Sequence, residues 1–321
     1  MQISGGVTLS GGVNLAPGSG GSSGSGGGFQ GSNFGYTSGG KAPPWTNVDT
    51  IDKFPFASDG NATDVGDLSS TNTYTAGQSS TDNGYTSGGA LATYFSLINK
   101  FPFASDDNAT NIGDLTQARR GAAGQSSTTN GYTSGGQNPG ISAPGALDPI
   151  DKFPFASDGN ATDVGDLTLS RIYTAGQSSS SSGYTSGGSE PPTNTIDKFP
   201  FAADSNATDV GDLTIARYGA ASQSSAVSGY VAGGVNTFGS PSNGIDKFSF
   251  ASDANATDVG DLSLARTDLA GQSSTASGYS SGGRTSIFEN VIDKFPFASD
   301  ANATDVGDLS QPRNLISGQQ Y

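Results

Sequence analysis

The chain has 321 residues, of which 32% are hydrophobic and 49 are glycine, and its 14 basic residues against 29 acidic ones give a net charge of −15. It contains no cysteine and no histidine, which excludes disulfides and thiolate chemistry and removes the commonest general base and metal ligand. So acidic a surface repels nucleic acid and anionic lipid, and no apolar run reaches membrane-spanning length, so neither nucleic acid nor membrane insertion is expected.

In chain order, the N-terminal stretch comes first. Residues 1–40 carry no charge, and 18–31 are nearly all Gly and Ser, the composition of a flexible linker. The start, "MQISGGVTLSGGVNLAPGSGG", has neither the basic region nor the apolar core of a secretory signal, so export by that route is not expected. "ISGGVTL" and "LSGGVNL" are a small duplication with alternating apolar residues. Two readings stand: a disordered tail, or an anchoring arm in which 2–15 adds strands to a partner's sheet and 18–33 gives slack. The arm, residues 1–33, is the expectation.

From residue 34 onward one cassette is written six times, beginning near 34, 83, 130, 182, 228 and 277. One marker is the tyrosine of G-Y-x-x-G-G, at Tyr36, Tyr85, Tyr132, Tyr184, Tyr230 and Tyr279. The other is the lysine of I-D/N-K-F, at Lys53, Lys100, Lys152, Lys198, Lys247 and Lys294. From each of the first five lysines to the next tyrosine is always 32 residues, whereas from the glycine pair to the lysine it is 13, 11, 16, 10, 13 and 11. All length variation is confined to one stretch of each cassette.

The constant part reads as strand-length pieces separated by turns. "IDKFPFA" alternates with period two, Asp52, Phe54 and Phe56 on one face and Ile51, Lys53 and Pro55 on the other. Its proline cannot donate to a ladder. "SDGN" and its variants supply turn residues, and "ATDVGDL" is a short return strand. The "AGQSS" segment has the small residues that crowding near an axis needs, and "GYTSGG" is a strand ending where backbone turns with positive φ. Four short antiparallel strands, repeated six times, predict the blades of a β-propeller.

The repeat resembles the kelch repeat. Tyr85 to Gly89 carries the family's Y-x-x-G-G, Asp59 to Leu68 its hairpin, and Arg119, Arg171, Arg217, Arg266 and Arg313 stand where that family often has arginine. The family's blade tryptophan is replaced by Val65, Ile112, Val164, Val210, Val259 and Val306. The resemblance implies an all-β, six-bladed kelch-like propeller over 34–321. The first blade lacks an inner strand, and "RNLISGQQY" (313–321) aligns with the missing piece through Gly318 and Gln319. The C-terminal strand is therefore expected beside Tyr36–Gly39, closing the first blade; the alternative is a strand from the N-terminal segment. The wording "IDKFPFAxDxNATDVGDL…AGQSS…GYTSGG" also resembles repeats in virion structural proteins of marine, particularly cyanobacterial, bacteriophages. That implies a virion setting, with 1–33 gripping other virion proteins.

Chemistry is hard to place. Asp59, Asn61, Asp64 and Asp67 suggest Ca²⁺, but the stretch lacks the loop length and terminal Glu of an EF-hand, and Asn111 replaces Asp in the second cassette. No metal and no cofactor are expected. "NAT" fits the N-glycosylation pattern in every cassette, but turn chemistry is the reading preferred here. The Asp52–Lys53 dipeptide and its copies are expected to form ion pairs between blades. No His or Cys can activate a serine, Lys41 is the one lysine outside the repeat, and copper oxidases of kelch type need Cys and His. A carboxylate pair is the sole catalytic route left, so no enzyme is expected.

Function is then expected in the irregular stretches between G-G and I-D-K, which by symmetry emerge on one face. They hold Trp45, Tyr94, Phe95, Phe238 and Phe288. Two readings remain open: a recognition face for host glycan, receptor or neighbouring virion proteins, or loops that merely drift with their aromatics tucked against the blades. The leading expectation is a non-enzymatic virion protein, either tail or fibre component or capsid decoration. A free kelch-type protein- or glycan-binding adaptor is the alternative.

Overall fold

Each blade is a four-stranded antiparallel meander whose inner strand comes from the end of the preceding cassette and whose other three come from its own. The computed structural model describes residues 31–138, 140 and 145–321, and no helix occurs among them. In the third blade the strands Ala123–Ser126, Asn130–Ser134, Pro149–Pro154 and Thr162–Asp166 run in that order from the axis outward. Six such sheets surround one axis, so the protein is a six-bladed β-propeller.

The inner strands are short because they meet around that axis. A Cβ added to Gly77 would lie 2.2 Å from the carbonyl oxygen of Gly318, and one on Gly124 would lie 2.2 Å from that of Gly77. Bulk there would push neighbouring blades apart, which explains the small residues of "AGQS". The glycine before each marker tyrosine has a second reason. The ring of Phe54 lies over Gly35, its cross-strand partner, and a Cβ at Gly35 would come within 2.4 Å of it. An aromatic covering a strand glycine in this way holds the register.

The core is divided into six clusters between blades. Each marker tyrosine stacks on the second phenylalanine of the next blade's "FPF" or its equivalent: Tyr36 on Phe103, Tyr85 on Phe155, and so round to Tyr279 on Phe56, at 4.8–4.9 Å. Both faces of "IDKFPFA" are buried, since a blade is sandwiched on both sides. Ile51, Asp52, Phe54 and Phe56 are all buried, and Lys53 is partly so.

Polar ties follow the same circuit. Lys53 reaches Asp106 on the next blade's hairpin at 2.9 Å, and the series ends with Lys294 on Asp59 at 2.9 Å. These are the expected inter-blade ion pairs, but the lysine pairs with the hairpin aspartate of its neighbour. The adjacent Asp52 instead meets Arg313, buried, at 2.9 Å. The "NAT" asparagines also differ from a local turn role: Asn61 Oδ1 accepts the backbone N–H of Asp308 at 3.1 Å, and Ala62 N–H donates to the Asp308 carbonyl at 2.7 Å. The hairpin is thus a clasp on the preceding blade.

The C-terminal strand completes the first blade. Ser317–Gln320 pairs antiparallel with the strand Phe34–Ser38, matching Gln319 to Tyr36 and Gly318 to Thr37. Arg313 reinforces the seam by donating to the carbonyl oxygens of Thr37, Gly39 and Thr50. The N-terminal segment does not supply that strand. Residues 31–33 lie beside it, with Gly31 N–H donating to Ser273 O at 2.9 Å and Asn33 N–H to Tyr321 O at 2.6 Å. The rest of the expected arm, residues 1–30, lies outside the described residues.

Candidate functional site

Antiparallel alternation places the variable loops on the same side of the wheel as the connectors that lead from each outer strand to the next inner strand. The inner-strand turns and the SDxN hairpins occupy the other side. Among the described residues, one face therefore carries the variable loops.

At the centre of that face the connectors build a closed ring. Tyr74 N–H donates to Leu315 O, Gly121 to Tyr74, Tyr173 to Gly121, Gly219 to Tyr173, Asp268 to Gly219 and Leu315 to Asp268, at 2.7–3.0 Å. All six residues have φ between 57° and 65°. Four of them are not glycine, and a side chain in this region costs about 1 kcal/mol. The bonds of the ring over-determine that conformation. At the far end of the channel a second circuit runs from backbone N–H to side chain: Ser79 N–H donates to Ser126 Oγ, Ser126 to Ser178, Ser178 to Ser224 and Ser224 to Ser273. Gln320 Oε1 then accepts from Ser273, and Gln320 N–H donates back to Ser79 Oγ.

Side chains from the connectors gather at the mouth. The rings of Tyr74 and Tyr173 are 5.5 Å apart, and Tyr218 lies 6.2 Å from Tyr173. The guanidinium of Arg120 is 4.8 Å from the centre of Tyr74 and 5.3 Å from that of Tyr94. Burial, with neighbouring Tyr74, pushes the Tyr173 hydroxyl well above the ordinary tyrosine range. Asp268 is largely buried, which raises its pKa, while Arg284 opposes that shift through an Nε–H bond at 3.1 Å.

The cations decide what this face can do. Six lysines are held by hairpin aspartates, and five arginines are buried against aspartates inside the blades. That leaves Lys41, Arg120 and Arg284, and all three lie on the variable-loop face beside aromatic rings. Lys41 Nζ and the Arg284 guanidinium are each 5.8 Å from the centre of the Trp45 ring. Such contacts add about 0.5–1 kcal/mol at exposed positions and keep long side chains placed.

The expected site residues divide as follows. Trp45 and Phe288 come together at the seam between the last and first blades, edge to face at 4.8 Å, with Trp45 56% exposed. With Pro43, Ile287, Pro312 and Arg284 they line a cleft of about 390 Å³. Tyr94 and Phe95 sit in the second blade's loop, Tyr94 against Arg120. Phe238 stands apart at the tip of the fifth blade's loop, 90% exposed. Loop aromatics are thus neither all free nor all tucked away. Sequence reasoning missed Tyr74, Tyr173, Tyr218, Arg120, Asp268 and Arg284. A signal existed for the two arginines, which fall outside the repeating arginine column. The connector tyrosines had none, because they stand at varying positions inside the constant part, Tyr74 and Tyr173 at one and Tyr218 one residue earlier.

Among the described residues no three acidic side chains gather as a cation site needs. No family model matches the chain, and neither does any curated protein.

Proposed function

We propose that this chain is a non-enzymatic structural and interaction protein of a bacteriophage virion. It would be displayed on the particle as a tail or fibre component or a capsid decoration, anchored through residues 1–33, and would touch host surface or neighbouring virion proteins with its variable-loop face. The observation that supports the interaction reading is the division of labour among cations. Every lysine and arginine of the repeated phrase has a partner within the wheel, while the three that stand outside it share one face with the exposed aromatics. A rigid scaffold that presents irregular loops on one side is how recognition surfaces are built.

The virion setting rests on the wording of the repeated phrase. Quantitative mass spectrometry of purified phage particles tests it: a few copies per particle fit a tail component and hundreds fit decoration. A chain that occurs in infected cells but never in particles would be an adaptor. The interaction reading is tested by adsorption of the purified full chain to host cells or stripped particles. A combined Trp45→Ser, Tyr94→Ser and Phe238→Ser variant should lose at least tenfold in binding while its melting temperature stays within a few degrees.

A further inference from the structure

We infer that the cleft at the seam binds a carboxylate-bearing sugar ring. This rests on the reading of the variable-loop face as the recognition face and narrows it to one ligand class.

The cleft has two kinds of wall. Pro43, Trp45, Ile287, Phe288 and Pro312 are apolar, and Trp45 and Ile287 are 56% and 66% exposed. Arg284 lines it, and Lys41 stands beside Trp45 at its margin. An occupant must therefore offer an apolar, flat surface and an anion at once. A pyranose does the first, since its slightly positive C–H face suits the negative face of an aromatic ring. A carboxylate on that ring does the second. The volume, about 390 Å³, falls within the usual size of small-ligand sites.

Arg284 is aimed for this task. Its Nε–H is taken by Asp268 Oδ2 at 3.1 Å, and Asp268 is itself held by Asn314 Nδ2 at 3.4 Å. The two terminal guanidinium nitrogens have no hydrogen bond among the described residues, and the side chain is 43% exposed. A guanidinium fixed through Nε presents its other edge as a fork, the geometry that grips a carboxylate by two parallel bonds. Lys41 Nζ has no ion pair among the described residues and adds a second positive charge beside the same indole. The nearby Glu289 is engaged by the Thr285 hydroxyl at 2.7 Å.

The backbone argues against an acidic peptide as the occupant. Lys41 and Ala42 pair with Asn47 and Thr46, Trp45 N–H donates to Ala42 O, and Val48 N–H to Gly40 O. Across the cleft, Thr285 N–H donates to Ile287 O and Glu289 N–H to Gly283 O. These loops satisfy much of their own backbone and offer no strand edge for an extended chain to join. Side chains do the recognising.

Trp45 is the one tryptophan of the chain, so its fluorescence reports on this cleft alone. The full chain is titrated with a glucuronate tetrasaccharide, with cellotetraose as the neutral ring and with hexaglutamate as the acidic peptide. The expected result is a saturable change with the glucuronate only, weakened at least tenfold by Arg284→Gln and severalfold by Lys41→Gln; Lys41→Gln should melt as the parent does, and Arg284→Gln, which leaves Asp268 without its ion pair, should melt lower but still cooperatively. No saturable change, an equal response to cellotetraose, or an equal response to hexaglutamate overturns the inference. Adsorption assays separate this from failure of the broader reading. If Tyr94→Ser and Phe238→Ser abolish adsorption while Trp45 stays silent, the face recognises something else. If no loop variant affects adsorption, both readings fall.

Discussion

In five blades a buried arginine lies beside a buried aspartate, which faces a second aspartate across the ladder; in the second blade all three positions are asparagine. Blade three shows the charged form. Arg119 meets Asp151 at 2.6 Å, both side chains fully buried, and Asp151 stands opposite Asp163 in register. Asp151 also accepts from the Thr116 backbone N–H at 2.8 Å and its hydroxyl at 2.7 Å. Burial pulls the Arg119 pKa down, and the charges of Asp151 and Asp163 hold it up. Blade two has Asn72, Asn99 and Asn111, with Asn99 and Asn111 facing each other at the matching register and Ser69 donating to Asn99. Two aspartates directly opposite repel unless a cation sits between them, and an arginine buried without its aspartate is an uncompensated charge. In this chain the three positions change together. The same wheel accommodates either version, so the charges are one way of filling the site and the fold does not require them.

That comparison can be broken directly. The largest effect is expected from a single Arg119→Asn, which strands Asp151 in the interior and should cost about 3–5 kcal/mol in denaturant unfolding. Adding Asp151→Asn and Asp163→Asn, which copies blade two into blade three, should recover most of that loss. A triple variant as unstable as the single one would show that blade two depends on something else. Next comes the reverse graft: Asn99→Asp alone buries an unpaired charge and should destabilise, whereas Asn72→Arg, Asn99→Asp and Asn111→Asp together should return to within about 1–2 kcal/mol of the parent. Asn99 Nδ2 is buried without a partner, so a small gain is also consistent with this account.

The smallest effects concern the outer ring of ion pairs, which treats blade two like its neighbours. Lys100→Gln and Lys152→Gln should each cost no more than about 1 kcal/mol, and the same amount, because both pairs are exposed and screened. Pairing with aspartate raises the pKa of Lys198, Lys247 and Lys294 above the ordinary 10.5, and burial raises those of Tyr85, Tyr132, Tyr184, Tyr230 and Tyr279 above 10.0. A group whose folded pKa is raised keeps its proton in the folded state after the unfolded chain has lost it, so its stabilisation is lost as pH rises from the unfolded value through the folded one. The melting temperature should fall above about pH 10. A melting temperature that stays level from about pH 9 to about pH 12 would contradict this.

Much of this was legible in the chain itself. The constant lysine-to-tyrosine spacing defined the cassette, the "AGQS" residues pointed to the axis, and "RNLISGQQY" was recognisable as the strand that Tyr36 lacked. Asn111 was visible as a departure in the second cassette, but not its connection, because it faces Asn99 only once the meander has folded. For the same reason Trp45 and Phe288 looked like two unrelated loop aromatics. They belong to the first and last cassettes, and only closure of the ring makes those adjacent.

The sequence by itself determined the repeat, its period, the strand order and the closure, because period-two alternation, glycine placement and spacing are local properties that recur six times. The tertiary structure alone decided which charges cancel and which remain. A lysine's partner lies about fifty residues away on the next blade, an arginine's on a strand two turns of chain later, and no local rule pairs them. What those two circuits leave over, Lys41, Arg120 and the Arg284 that pairs with Asp268, on a single face, is therefore visible only in the closed wheel.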